Sequence, residues 1–545
     1  MMKYFLLVLS VCMGAVSQVL CAEVPKCRPL PSRNLLHYIQ SGIDVIGIVH
    51  FTVNTFTDRE WGYGNESPDD FNPTDFSADE IVRSCRDGGL KGLVIVAKHH
   101  DGFCLWPTET TTHNISRSKW RGGKCDYVGE MARACRKYGL KFGVYCSPWD
   151  RNSAFYAKPE YVKIFHKQVE ELNDGRYGEI FEMWFDGANG GDGYYGGAWE
   201  KRSIGMASKY YRMKELQERV RELQPNVCFF SGNGDLVWPG NERGEVPVDS
   251  GGTRDDGTFR LYEADFPLRP GWFYHQSQDG YSRSGEFLMK IFLRTVGNSA
   301  IMDIGIAPDL RGRLTDEDAG VLRRFAKIRQ EFFSKRIKSP STPFNVVVLS
   351  EDVSKGERVD EWRLFLDGKE LVGGGKIGYR RIRVFDKPVS GKDLRLEIVK
   401  GDVCESEILM ELYAAPEDLV DIVAKSEAPM RPPAPFELRG TLTSQKDRQL
   451  VYMMKRAKRI SAVVIAPDEK NIDATPTVFR LSYSVDGENW QDDAAVHRLD
   501  NVAANPVPQT ILLSRKSDIK YLKITVLGML DEKRPACLRG LEFVP

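Results

Sequence analysis

"SADEIVRSCRDGGLKGLVIVAK", residues 77–98, decides the fold. Its first half spaces apolar Ile81, Val82 and Cys85 along one helical face, behind a serine that can cap the first turn. A Gly-Gly pair then stops the helix, and "GLVIVAK" follows as an unbroken, β-branched apolar run. Such a strand has no wet face. It belongs in a parallel sheet covered by crossover helices.

The same alternation extends in both directions. Upstream lies the strand "IDVIGIVHF" (43–51). Downstream come the helix "DYVGEMARACRKYG" (126–139), the strand "KFGVYCS" (141–147), a helix near 158–173 and the strand "IFEMWFDG" (180–187). A helix at 206–223, the strand "VCFFSG" (227–232), the helix "SGEFLMKIFLRTVGN" (284–298), the strand "AIMDIGIAP" (300–308) and the helix "DEDAGVLRRFAKIRQEFF" (316–333) complete the series. Seven or so such units without a G-x-G-x-x-G turn predict a (β/α)8-like barrel over 23–338 rather than a dinucleotide-binding sheet. Residues 233–283 read as a Gly-rich loop, an elaborated active-site face.

After residue 338 the texture changes to short alternating strands, "FNVVVLS", "EWRLFLDG", "YRRIRVF" and "DLRLEIV". These predict an all-β sandwich over 339–418. The Pro-rich "SEAPMRPPAPFELRG" (426–440) reads as a linker to a second all-β sandwich over 430–545. That last segment is either scaffolding or a discoidin-like carbohydrate-binding module, for which the turn "SVDGENW" (484–490) is the sequence cue.

At the start, "MMKYFLLVLSVCMGAVSQVLCAEV" has the lysine, short apolar core and small residues of a secretory signal peptide over 1–22. A secreted or periplasmic protein is expected, with a lipoprotein anchored through Cys12 or Cys21 as the alternative. No other stretch is apolar enough to span a bilayer. The other nine cysteines (Cys27, Cys85, Cys104, Cys125, Cys135, Cys146, Cys228, Cys404, Cys537) are odd in number and scattered without a C-x-x-C pair. They read as buried free thiols rather than zinc ligands or a disulfide framework. The charge balance, 76 basic against 76 acidic residues, implies no general attraction to nucleic acid or anionic membrane. Nothing calls for a metal or organic cofactor, and oligomeric state is not legible.

Barrel enzymes carry their chemistry at the C-terminal ends of the strands. Those ends deliver His50, then Glu60 and Trp61 in "TDREWG"; His99, His100 and Trp106 in "KHHDGFCLWPT"; Tyr145 and Trp149 in "VYCSPWD"; and Trp184 and Asp186 in "EMWFDG". The loop after the fifth strand adds Glu242 and Glu245 in "VWPGNERGE". A bland reading exists for each: hydrogen-bonded structural histidines, core tryptophans at 106 and 149, and an Asp186 that caps the following turn. Taken together, the rim fits three functions. One is a glycoside hydrolase with two carboxyl groups across the scissile bond. Another is a metal-dependent barrel hydrolase using His99, His100 and Asp186, which requires the strand to end before the adjacent imidazoles diverge. The third is a sugar-binding protein without catalysis.

A family resemblance bears on this choice. "HFTVNTFTDREWG", "KHHDGFCLWPT", "GVYCSPWD", "EMWFDG", "GNERGE", "EADFPLRPGWFYH" and "IAPDLRGRL" stand in the order seen in α-L-fucosidases of glycoside hydrolase family 29. The likeness spans about 41–335, and "GNERG" with "RPGWFYH" resembles the branch preferring α-1,3- and α-1,4-linked fucose. It implies exo-hydrolysis of fucosylated glycans with retention through a covalent fucosyl-enzyme. Asp186 would be the nucleophile and Glu242 the acid/base, with Glu245 and Glu263 as fallbacks. Sugar contacts would come from His50, Glu60, Trp61, His99, His100, Tyr145 and Trp184, with Trp272 against the C5 methyl face and His275 toward the neighbouring sugar. Pro239, ahead of the "GNE" segment, departs from the family pattern.

Overall fold

The computed structural model describes residues 28–427, 440–446, 448–468, 470–499, 502 and 508–544. The leader expected over 1–22 lies outside the described residues, with Cys27 and most of the 426–440 linker.

Eight parallel strands close a barrel. In chain order they are β1 (Val45–Val49), β2 (Gly92–Lys98), β3 (Lys141–Cys146), β4 (Glu182–Trp184), β7 (Cys228–Phe230), β8 (Leu236–Val237), β9 (Leu261–Pro267) and β10 (Ile301–Ile306). A short antiparallel hairpin, β5 (Gly190–Gly193) and β6 (Glu200–Ser203), is inserted after β4. Around the barrel the order is β1-β10-β9-β8-β7-β4-β3-β2. Every residue of β1 and β2 is buried, as their unbroken apolar runs require. Ser77 caps the helix Ala78–Asp87 by accepting the Glu80 N–H at 3.2 Å. The helix Tyr127–Tyr138 starts under Asp126 and ends at Gly139, whose φ of 74° is cheap only for glycine.

Two expectations are corrected. Residues 233–283 are not simply loop: they contribute β8 and β9 to the barrel. β8 has two residues, too few for a periodicity. β9 reads "LYEADFP", and its carboxyl groups at Glu263 and Asp265 disguise a buried strand as a polar segment. The helix expected over 206–223 is two pieces, Ala207–Tyr210 and Met213–Leu223, broken where Arg212 adopts φ 51°.

Beyond the barrel, a four-stranded and a three-stranded antiparallel sheet pack around Phe344, Trp362, Ile377 and Leu412. This sandwich docks on the N-terminal ends of the barrel strands. Arg381 is fully buried there, donating to Asn298 Oδ1 and, at 2.6 Å, to the Ser250 carbonyl, while Arg380 reaches Asp44 at 2.8 Å. The C-terminal residues form a six-stranded antiparallel sheet with its own core of Leu450, Ile460, Phe479 and Ile524. Its two long strands, Gln449–Ala466 and Gln509–Met529, shift register after Met453 and Ile460. In the "SVDGENW" turn, Trp490 is half-buried, with Lys523 Nζ 4.4 Å from its ring centroid.

The described cysteines are all free. Six are buried as expected, but Cys404 is exposed and Cys537 half-buried. Among the described residues, no helix is long and apolar enough to cross a membrane.

Candidate active site

A cavity of about 820 Å³ opens at the C-terminal ends of the barrel strands. His50 follows β1, and His99 and His100 follow β2. Tyr145 lies on β3, Trp184 ends β4 and Asp186 comes two residues later. Trp61, Glu242 and Trp272 complete the expected residues that line it. Glu242 follows β8, the sixth barrel strand rather than the fifth. Because β2 has ended at Lys98, both adjacent imidazoles turn into the cavity, their ring centroids 4.1 Å apart. Among the described residues, no group of three His, Cys, Asp or Glu side chains is arranged to hold a metal ion.

Asp186 is hydrogen-bonded through both carboxylate oxygens. Its Oδ1 accepts the Ala188 N–H at 2.6 Å, so it does cap the turn, and its Oδ2 accepts the Tyr145 hydroxyl at 3.0 Å. Both bonds fix the plane of the carboxylate. His100 Nε2 lies 3.9 Å from Oδ2, and its Nδ1 meets Ser147 Oγ at 2.8 Å. The imidazoles do not supply positive charge. Burial lowers the pKa of His50 to about 3 and, outweighing the Asp186 carboxylate, that of His100 to about 4; burial and its neighbours hold His99 well below the usual range. Neutral rings carry one donor and one acceptor each, a set suited to hydroxyls.

Trp184 forms the floor. Its indole stacks on Phe230 at 3.9 Å and 3°, faces Tyr145 at 5.2 Å, and donates from Nε1 to Glu263 Oε1 at 2.8 Å. Across the cavity, burial pushes the half-buried Glu242 carboxyl up to about 7. The Trp272 indole N–H, 3.2 Å from Glu242 Oε2, opposes that rise, and the charges of Asp186 and Glu60 add to it. Pro239 does not carry Glu242 away from the cavity. Glu245 pairs instead with Arg243 at 3.0 Å outside the cavity lining, and Glu263 is wholly buried behind Trp184.

Glu60 and His275, expected to touch sugar, do not line the cavity. They brace its wall from behind. Glu60 Oε2 accepts the Trp272 N–H at 3.0 Å and Oε1 the Phe273 N–H at 3.2 Å. His275 bridges Glu60 and Asp58, each at 2.7 Å. Although burial acts to lower it, these two hydrogen-bonded carboxylates raise His275 to about 9. An unfolded histidine titrates near ~6.5. The bridge therefore contributes stability that is full below that value and lost as pH rises through about 9, on the order of 3 kcal/mol at most. Melting temperature followed from pH 6 to 10 should fall in wild type across this window. A His275→Gln protein should lack that component, and parallel curves would refute the bridge.

Trp106 and Trp149 are core, the first donating to Glu171 at 2.9 Å and the second to the Tyr195 hydroxyl at 2.9 Å. Sequence reasoning missed Phe230, Asn233, Trp238 and Asp265, all of which line the cavity. Trp238 stood in the quoted "VWPGNERGE" beside its glutamates. Asp265 stood in the quoted "EADFPLRPGWFYH", two residues from Glu263, a spacing that puts both on one face of a strand.

The α-L-fucosidase family model matches residues 37–330, which contain every barrel strand. Over 385 residues the chain is 33% identical to alpha-L-fucosidase 1 of Arabidopsis thaliana, covering 63% of this chain and 72% of that protein. The crystal structure of a glycoside hydrolase 29 family member from an unknown rumen bacterium superposes with a TM-score of 0.68 at 32% identity, covering 95% of this chain and 99% of that one. The carboxyl pair, the aromatic floor and the neutral imidazoles thus stand within a chain that belongs to the α-L-fucosidase family and is a glycoside hydrolase.

Proposed function

We propose that the protein is a retaining exo-α-L-fucosidase acting on α-1,3- and α-1,4-linked fucose in branched glycans. The observation that carries this reading is the pair Asp186 and Glu242, facing one cavity in unlike surroundings. Asp186 is held by two donors, and Glu242 is buried enough to keep its proton near pH 7. A retaining mechanism divides the work along this line. Asp186 attacks C1 as the C1–O bond breaks, and the Glu242 proton passes to the departing oxygen. Esterification removes the Asp186 charge, one of the influences raising Glu242, so Glu242 is left ionised and free to act as the base. It then takes a proton from water, whose oxygen attacks C1 and frees Asp186.

Trp61, Trp184 and Trp272 give the sugar apolar faces, and His50, His99, His100 and Tyr145 meet its hydroxyls. The linkage preference is supported by two further lining residues, Asn233 with an amide and Trp238, 48% exposed, with an indole, which would meet the neighbouring sugars. An exported location would suit such a substrate.

Fucose release from α-1,3/1,4-branched and α-1,2-linked oligosaccharides, followed by proton NMR, tests the reading. The α-anomer should appear first, and the branched substrates should be cleaved faster. The β-anomer appearing first would overturn retention, and faster release from the α-1,2 linkage would overturn the branch assignment. Trp272→Phe provides a further check. Removing the indole N–H leaves burial of Glu242 unopposed, so the basic limb of kcat/KM should move upward by about one unit or less. An unmoved or lowered limb would show that another group sets it.

A further inference from the structure

The barrel interior holds more carboxyl groups than the reaction uses. Asp265 on β9 lines the same cavity as Asp186 and Glu242, yet neither step above needs it. It is 5% exposed, and its Oδ1 is buried without a hydrogen-bond partner. On the adjacent strand β10, Asp303 stands in register with it and is likewise buried, its carboxyl group against that of Glu263. Two residues earlier on β9, Glu263 is occupied by Trp184 and lies against Glu182 of β4. The charged groups that act most strongly on Asp265 are Glu242, Asp303 and Asp186, all acidic.

A carboxylate so placed would be stripped of water and ringed by its own sign of charge. Burial, and after it those neighbours, hold Asp265 well above the ordinary range. In its neutral form the group has a proton to give. A hydroxylated ligand in the cavity would meet the part of the Asp265 side chain that lines it.

We propose that Asp265 is a sugar-binding residue, donating a hydrogen bond from its carboxyl group to a hydroxyl of the fucosyl unit seated between Asp186 and Glu242. This rests on the fucosidase reading. It adds a third carboxyl to the site, one that works by staying protonated. A sugar bound there is gripped partly by a group whose ionisation would loosen the grip.

Calorimetric binding of L-fucose and steady-state kinetics on a branched glycan, with Asp265→Asn and Asp265→Ala beside wild type, test the assignment. The amide has the outline of the neutral acid and keeps an N–H donor, so Asp265→Asn should fold and bind fucose within about threefold of wild type. Asp265→Ala should weaken fucose binding by about tenfold or more, with KM rising at least as much as kcat falls. As pH rises, wild type should lose fucose affinity more steeply than Asp265→Asn. An Asp265→Ala protein that binds fucose as wild type does and only melts earlier would overturn the proposal. So would an Asp265→Asn protein as weak as the alanine variant, or identical pH dependence in wild type and Asp265→Asn. Failure of wild type itself to bind or release fucose would instead overturn the functional reading beneath it.

Discussion

Asp186→Asn should bind fucosylated substrate and release fucose about 10³-fold more slowly or worse. The physical reason is specific to how Asp186 is held. Asn can keep an oxygen toward the Ala188 N–H, and the Tyr145 hydroxyl can turn from donor to acceptor to meet the new amide. The cavity should therefore survive, with a stability change on the order of 1 kcal/mol. On the proposed mechanism, what is lost is the atom that bonds to C1. Initial rates, melting temperature and fucose affinity measured together separate this from unfolding. Asp186→Gly with added azide sharpens the test, because a small anion in the vacated space should yield the β-fucosyl azide. Release by Asp186→Asn within tenfold of wild type would remove Asp186 from the chemistry.

Glu242→Gln should behave differently from one substrate to another. A glycan leaving group needs the proton, so kcat/KM should fall by about 10²–10⁴-fold. An aryl fucoside whose phenolate departs unaided should lose much less in the first step and accumulate the fucosyl-enzyme, visible as a burst. The wild-type basic limb should fall near the value of about 7 to which burial raises Glu242, activity declining as the acid deprotonates above it. In Glu242→Gln that limb should vanish. An equal loss on both substrates, with the limb unmoved, would return the acid/base role to another carboxyl.

The parts of this molecule that sequence reveals are those where one residue type can satisfy only one environment. The apolar runs of β1 and β2 have no reading except double burial, and Ser77 and Gly139 do the capping and stopping that their chemistry favours. The motif order brought His50, Trp61, His99, His100, Tyr145, Trp184, Asp186, Glu242 and Trp272 to one cavity. Legibility failed where tertiary contacts decide. β9 looked like loop because its inward face carries acids, and its identity as a strand rests on pairing with β8 and β10. Glu60 and His275 carry side chains that suit a sugar as well as each other. Their mutual bridge depends on a fold that brings residues 60 and 275 within 2.7 Å, which no local pattern encodes. That the imidazoles are neutral follows from their depth in the barrel, which no local pattern encodes.

The shortest stave of the barrel has a consequence for turnover. β8 meets β7 through a single residue pair, Phe230 with Leu236, and β9 through two. Glu242 hangs from this thin seam, whereas Asp186 follows β4, which is paired with β3 and β7 on either side. Asp186 is bolted to a frame and Glu242 to a hinge. Amide hydrogens of residues 236–245 should exchange faster than those of β1, β2 and β3, and the seam should yield first as the cavity breathes to let the defucosylated glycan leave. Catalysis would then be paced by a flexing seam whose movement leaves the attacking carboxylate in register for the next sugar.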